Sequence, residues 1–223
     1  MGYQTMTKRL FATAATGLLL ACVDLNIPDL NSPSIELLQK QPTRSALSAA
    51  CTGLLSGNRA DKAIANGYIV KIGILGRDAY NFDVTDPRFI TELLTGSSLD
   101  PGGFGGDFWA GPYANIRTGN IVLSAVSGVA ELTPEEKEGV RGFTKTIQAL
   151  DFLELINTRD TNGAAVEVGE TVDALTPIVD RDEVFKHIVQ LLEEARLHLE
   201  NGGARFPFAF SSGYRSEEHT SEL

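Results

Sequence analysis

The chain has 223 residues, and 43% of them are hydrophobic, enough for a substantial core. Against 19 Lys and Arg stand 29 Asp and Glu, a formal net charge of −10. An acidic chain without a basic stripe is a poor binder of nucleic acid, and equally a poor polybasic binder of membranes.

The first 21 residues read as a leader and not as part of a fold. Lys8 and Arg9 form a positive patch, and Leu10 to Ala21 is an uncharged, mostly apolar run of 12 residues. That is too short to span a bilayer, which needs about 20 apolar residues. It has the length of a signal-peptide core. The run ends in Leu19-Leu20-Ala21-Cys22, which resembles the bacterial lipobox, with Leu20 bulkier than usual at its position. The expectation is a signal peptide over 1–21 and a lipidated Cys22. The other reading is an ordinary secretory signal with a cysteine nearby. Acyl chains on Cys22 would replace the apolar run as the membrane handle, since several chains anchor firmly where one holds only marginally. Residues 22–42 then serve as tether and lead-in, because the prolines and turn residues of "VDLNIPDLNSPS" discourage a long helix.

Cys51 is left without a partner if Cys22 carries lipid, so neither a disulfide framework nor a thiol metal cluster is expected. It lies in "ALSAACTGLL" and reads as a small buried hydrophobe. Helical spacing over Pro42 to Gly57 puts Ala46, Ala50 and Leu54 on one face, with Gly57 as a stop. Asn66 to Phe82 is ambiguous between strand and helix. "DPRFITELLTG" predicts a short helix with Asp86 as N-cap, Pro87 at N1 and Gly96 as stop. The loop "SSLDPGGFGGD" invites a phosphate-binding reading. Its glycines at 102, 103, 105 and 106 fit neither the P-loop nor the dinucleotide fingerprint, and no Lys-Ser/Thr follows. A plain loop with Asp107 as the next N-cap is expected.

"DFWAGPYANIRTGNIVLSAV" predicts a helix with Trp109, Tyr113, Ile116, Asn120 and Leu123 on one face. That stripe suits a core, with sugar contact as the other use of its aromatics. The next start is marked by Thr133 as cap, Pro134 at N1 and Glu136 at N3, a capping box. Val140, Phe143, Ile147 and Leu150 form one apolar face there. Ala149, Phe152, Leu153 and Ile156 widen it, so this helix should be buried on more than one side. "TNGAAVEVGETVDALTPIV" reads as an extended loop or short hairpin. Asp180 with Glu183 opens a last long helix, whose stripe is Val184, Ile188, Leu191, Ala195 and Leu199 and which stops at Gly202-Gly203.

No catalytic constellation emerges. His187 and His198 lie on this one helix, and Glu183 with His187 lacks a third metal ligand. His187 reads as an ordinary helix residue, and Glu193-Glu194 as a solvated face. No cofactor is implied. The final residues "RSEEHTSEL", Arg215 to Leu223, resemble the translation of a sequencing-adapter oligonucleotide. They are expected to fall outside the natural fold, which leaves 43–214 as the N-terminal part of a longer helical domain.

The helices come in pairs, as in helical-repeat proteins, without a strict 34-residue period. The lipobox at Cys22, "FWAGPYANIRTGNIVLSAV", "LTPEEKEGVRGFTKTIQALDFLELINTRD" and "VFKHIVQLLEEARLHL" together resemble the SusD/RagB family of nutrient-uptake outer-membrane lipoproteins. Gly142 stands where many members have alanine. The resemblance implies a mainly α fold, an α/α superhelix of tetratricopeptide-like helix pairs with long loops. It implies a cell-surface protein, lipid-anchored to the outer membrane, that does no chemistry. Such a protein captures a glycan or peptide and delivers it to a SusC-like TonB-dependent outer-membrane transporter. Ligand contacts in the family come from variable loops, so no binding residues are carried over. Two other classes stay open: a lipoprotein enzyme whose catalytic part lies beyond Tyr214, and a periplasmic helical-repeat scaffold that binds proteins.

Overall fold

The computed structural model describes residues 35–40, 42–82, 84–95, 99–169 and 175–210. Cys22, the leader over 1–21, Gly96 and the segment 215–223 lie outside the described residues. What is described is mainly α, with no strand among these residues. The helices are α1 (Ile35–Lys40), α2 (Arg44–Arg59), α3 (Tyr68–Leu75), α4 (Ala110–Ala125), α5 (Pro134–Arg159) and α6 (Arg181–Glu200). A π-helix, Phe89–Leu94, lies between α3 and α4.

Local chemistry sets the helix starts. The Thr43 hydroxyl accepts from Ala46 N at 3.2 Å and caps α2. At α5 the capping box is complete, for Thr133 Oγ1 accepts from Glu136 N at 3.2 Å and Glu136 Oε2 accepts from Thr133 N at 3.0 Å. Asp180 accepts from Glu183 N at 2.9 Å at the start of α6. The lead-in holds a short helix, Ile35–Lys40, whose Leu38 joins the core, while the expected tether over 23–34 lies outside the described residues. Two expectations are corrected. α2 runs past Gly57 to Arg59, because the Ala60 N–H reaches Gly57 O and closes the last turn. Asp107 does not cap α4; Trp109 occupies that position, and the Asp107 carboxylate pairs with Lys71 instead.

α2, α4, α5 and α6 form an antiparallel array. Leu54 O of α2 accepts from Asn115 of α4, and Ile116 O of α4 accepts from Gln148 of α5. Farther along, Lys145 and Glu194 bridge α5 to α6. Two apolar clusters fill the array, and α5 supplies both. Val140, Phe143 and Ile147 enter the first, with Leu47, Leu54, Ile121 and Val122. Ala149, Phe152, Leu155 and Ile156 enter the second, with Ile116, Val184, Ile188 and Leu191. The two-sided burial expected of α5 is therefore present. Its stripe ends early, since Leu150 is 44% exposed, and on α6 Leu199 is 40% exposed. Both sit at the edge of a stripe, where periodicity marks a face but not how far a neighbour extends over it.

Backbones approach closely between α5 and α6. A Cβ on Gly142 would lie 2.9 Å from Ala195 O and 2.6 Å from Leu199 Cγ. Gly142 is thus fitted to this helix pair.

α4 also pins the stretch that follows α5. The Tyr113 hydroxyl donates to Ala165 O at 3.0 Å and accepts from Ala165 N at 2.8 Å, and Asn120 donates to Val168 O at 2.6 Å. Of the segment read as an extended loop or short hairpin, 170–174 lie outside the described residues, and the rest carries an antiparallel bridge between Ala164 and Val179. Tyr113 and Trp109 pack on the second cluster, 4.8 Å apart and edge to face, while Asn120 and Leu123 are only half-buried. The stripe on α4 thus belongs to the core over part of its length.

The chain between α2 and α4 makes a separate lobe. α3 and the π-helix pack mainly on each other, with Ile74, Phe89, Leu93 and Phe104 as their own cluster. The segment left ambiguous over Asn66 to Phe82 is helical in its first half as α3. Over "DPRFITELLTG" the expected short helix is a π-helix, and Asp86 accepts from Arg88 N at 3.2 Å rather than capping an α-helix.

Candidate functional site

Asp151 stands in the second half of α5, between Ile147 and Leu155, on a face it shares with the buried polar residues Thr144, Gln148 and Glu154. It is 1% exposed. A buried carboxylate needs donors, and two amides supply them. Asn58 Nδ2, from the last turn of α2, donates to Asp151 Oδ1 at 2.7 Å. Asn115 Nδ2 of α4 donates to Asp151 Oδ2 at 2.7 Å and to Leu54 O at 3.1 Å. Gly57 makes the second contact possible, since a Cβ there would lie 2.4 Å from Asn115 Oδ1. Burial pushes the Asp151 carboxyl up to about 6, against the pull of the two amide donors.

A cleft of about 370 Å³ opens above this network. Asn58, Asp151 and Glu154 form its bundle side, and Asp61, Lys71, Asp107 and Phe108 its lobe side. Glu154 is one helical turn from Asp151 and is held by Lys62 Nζ at 2.9 Å. Lys71 is buried, paired with Asp107, with its ammonium 4.1 Å from the centre of the Phe104 ring and 5.2 Å from that of Phe108. Such rings and a carboxylate together offset the desolvation of a buried ammonium.

The cleft wall carries backbone strain. Asp61 has φ 56° and Phe108 φ 62°, both left-handed. Asp adopts this region more readily; for a bulky residue such as Phe it costs on the order of 1–3 kcal/mol and persists only where surroundings enforce it. Such surroundings are present around Phe108. Arg159 donates to Gly105 O at 2.7 Å and to Asp107 O at 2.9 Å, and lies 5.1 Å from the Trp109 ring. The Phe108 ring meets Tyr68 edge-on at 5.3 Å.

The lining offers amides, carboxylates, an ammonium and an aromatic face, a set that suits a polar solute with both hydroxyl or amide groups and some apolar surface. The residues singled out in the sequence lie elsewhere. Cys51 is fully buried, and burial pushes its thiol up to about 12, which makes it inert. His187 meets Phe152 edge-on at 4.9 Å, and burial lowers its pKa. His198 contacts Glu138 at 2.5 Å, while Glu183 donates its backbone N–H to the Asp180 cap of α6 and pairs with Lys186 through its carboxylate. Glu194 of the Glu193-Glu194 pair is held by Lys145 and Gln190, so that face is partly tied down and not simply solvated. Among the described residues no group of three His, Cys, Asp or Glu could hold a metal ion, and no helix is long and apolar enough to cross a membrane. Sequence reasoning missed Asp151, although an acid inside a two-sided apolar helix was the available signal.

No protein-family model, no curated protein and no solved structure matches the chain.

Proposed function

We propose that the chain is the solute-capturing part of a cell-surface lipoprotein of SusD-like architecture. It binds a glycan or peptide in the cleft above Asp151 and passes it to a TonB-dependent outer-membrane transporter. The antiparallel run of α2, α4, α5 and α6 is compatible with a tetratricopeptide-like superhelix. The observation that carries the reading is the cleft itself: its polar groups are engaged with one another as amide, carboxylate and ammonium pairs, and a ring stands at its edge. Such a lining holds a polar solute through hydrogen bonds and one stacking face.

Trp109, the sole tryptophan, follows Phe108 in the chain and lies 5.1 Å from Arg159, so its emission serves as the readout. Fluorescence titration with oligosaccharide fractions and with peptide digests is expected to give saturable binding of one class. Phe108→Ala should weaken it at least about tenfold, in line with loss of an aromatic contact in a desolvated site. No saturable binding of either class would sink the capture reading. Anchoring is tested separately. In a Gram-negative host the protein should label with a fatty-acid probe, and Cys22→Ser should abolish the label; equal labelling of both would remove the lipoprotein claim.

A further inference from the structure

The lobe between α2 and α4 bears on how the cleft is entered. It is closed on itself by Ile74, Phe89, Leu93 and Phe104, a cluster distinct from both clusters of the helical array. Its polar groups also pair internally. Lys71 binds Asp107, Arg77 donates to Leu93 O at 3.3 Å, and Asp100 N donates to Glu92 at 3.3 Å. The chain enters the lobe at Asp61 and leaves it at Phe108. Both junctions are left-handed, as are Arg77 inside the lobe and Asp160 at the end of α5, and both junctions line the cleft.

The seam between lobe and array is poorly filled. The cleft of about 370 Å³ lies on it. A second void of about 90 Å³ lies between Leu75, Leu93 and Phe104 of the lobe and Asn157 and Thr158 of α5. The bonds that cross the seam are polar. Arg159 holds Gly105 O and Asp107 O, Lys62 holds Glu154, and Asn157 donates to the Tyr68 hydroxyl at 3.4 Å. Arg159 Nε is buried without a hydrogen-bond partner among the described residues, so the guanidinium is not fully satisfied in this arrangement.

We propose that the lobe of α3, the π-helix and the 99–107 loop opens and closes over the cleft as one unit, turning at Asp61 and Phe108 and latched by Arg159. An element with its own apolar cluster and a polar, cavity-bearing seam separates at lower free energy than helices that share a core. Left-handed backbone at Phe108 stores strain that a turn of that residue relieves. Closure would bring Asp61, Lys71 and Phe108 onto a solute resting over Asn58 and Asp151. This use of the motion rests on the capture reading above; the motion itself does not.

Native-state amide exchange on the full chain, without solute and read by mass spectrometry, tests the opening. Amides of α3 and of the π-helix should exchange together, at least about tenfold faster than those in the middle of α5. Arg159→Ala should speed the lobe by a further factor of about ten and leave the centres of α5 and α6 unchanged. Arg181→Ala removes an exposed pair with Asp160 beside the same end of α5 and should leave the lobe unchanged. Lobe amides that exchange as slowly as α5, or with scattered unrelated rates, overturn the proposal. So does an Arg159→Ala variant that speeds α5 as much as the lobe. If that variant does not fold, the wild-type pattern decides alone. A cleft that binds neither glycan nor peptide leaves these exchange rates as they are, so the two readings fail separately.

Discussion

Asp151 of α5 and Asn58 of α2 meet 2.7 Å apart although 93 positions separate them in the chain. With Asn115 on the other carboxylate oxygen, the contact ties three helices at one buried point. Its energetics depend on protonation. The folded-state pKa of Asp151 is about 6, raised by burial above the ordinary 3.8.

A raised carboxyl pKa means that the folded state binds the proton more tightly than the unfolded chain does. The associated stability is fully present below about pH 4 and is lost as pH rises through about 6. A shift of this size corresponds to about 3 kcal/mol. Urea melts of the wild type and of Asp151→Asn from pH 4 to 7 isolate the effect, because carboxylates remote from it titrate alike in both and only Glu154, one turn away, feels the change. The wild type should lose stability relative to the variant across that interval. A difference that stays flat would show that burial does not govern this group.

Phe143 and Phe152 anchor the two clusters that share α5. Phe143 packs 4.7 Å from Phe208 and 6.0 Å from Phe206, so it also holds the segment that follows α6. Truncating either to alanine should cost about 3–5 kcal/mol through lost transfer energy and a cavity. Trp109→Phe should cost less, since most of the ring volume remains. Circular dichroism melts should rank Trp109→Phe above both alanine variants. Melts of the two alanine variants that match the parent would make α5 peripheral.

Two glycines in helices should respond with opposite signs. Gly142→Ala places a methyl against Ala195 O and Leu199 and should destabilise by about 1–3 kcal/mol. Gly53→Ala on α2 meets nothing within 4 Å and should stabilise by roughly 0.5–1 kcal/mol through helix propensity. Denaturant midpoints measured side by side check both. A neutral Gly142→Ala would mean that α5 and α6 can slide apart at no cost.

The capping box gives a smaller, local effect. Thr133→Ala removes the acceptor for Glu136 N and should cost about 1 kcal/mol, while Thr133→Ser should restore most of it. Equal melting of the alanine and serine variants would mean that Glu136, which also binds Arg44, holds the turn without the hydroxyl.

By itself the sequence determined what depends on neighbours a few residues apart. The Thr133–Glu136 box, the Asp180 cap and the helices they open follow from i to i+3 bonds and the helical period. So does the two-sided burial of α5, because a wide apolar face has to meet more than one neighbour. Tertiary structure alone decided what depends on partners remote in the chain. Asp107 looked like a cap until Lys71 took its carboxylate, and Gly57 looked like a stop until Asn115 needed its space. Leu150 and Leu199 fit their stripes yet lie exposed, because a period gives direction and not the reach of the covering helix. The Asp151 site was hidden for the same reason. Its donors arrive from α2 and α4, and no local rule pairs residues whose meeting depends on how three helices pack.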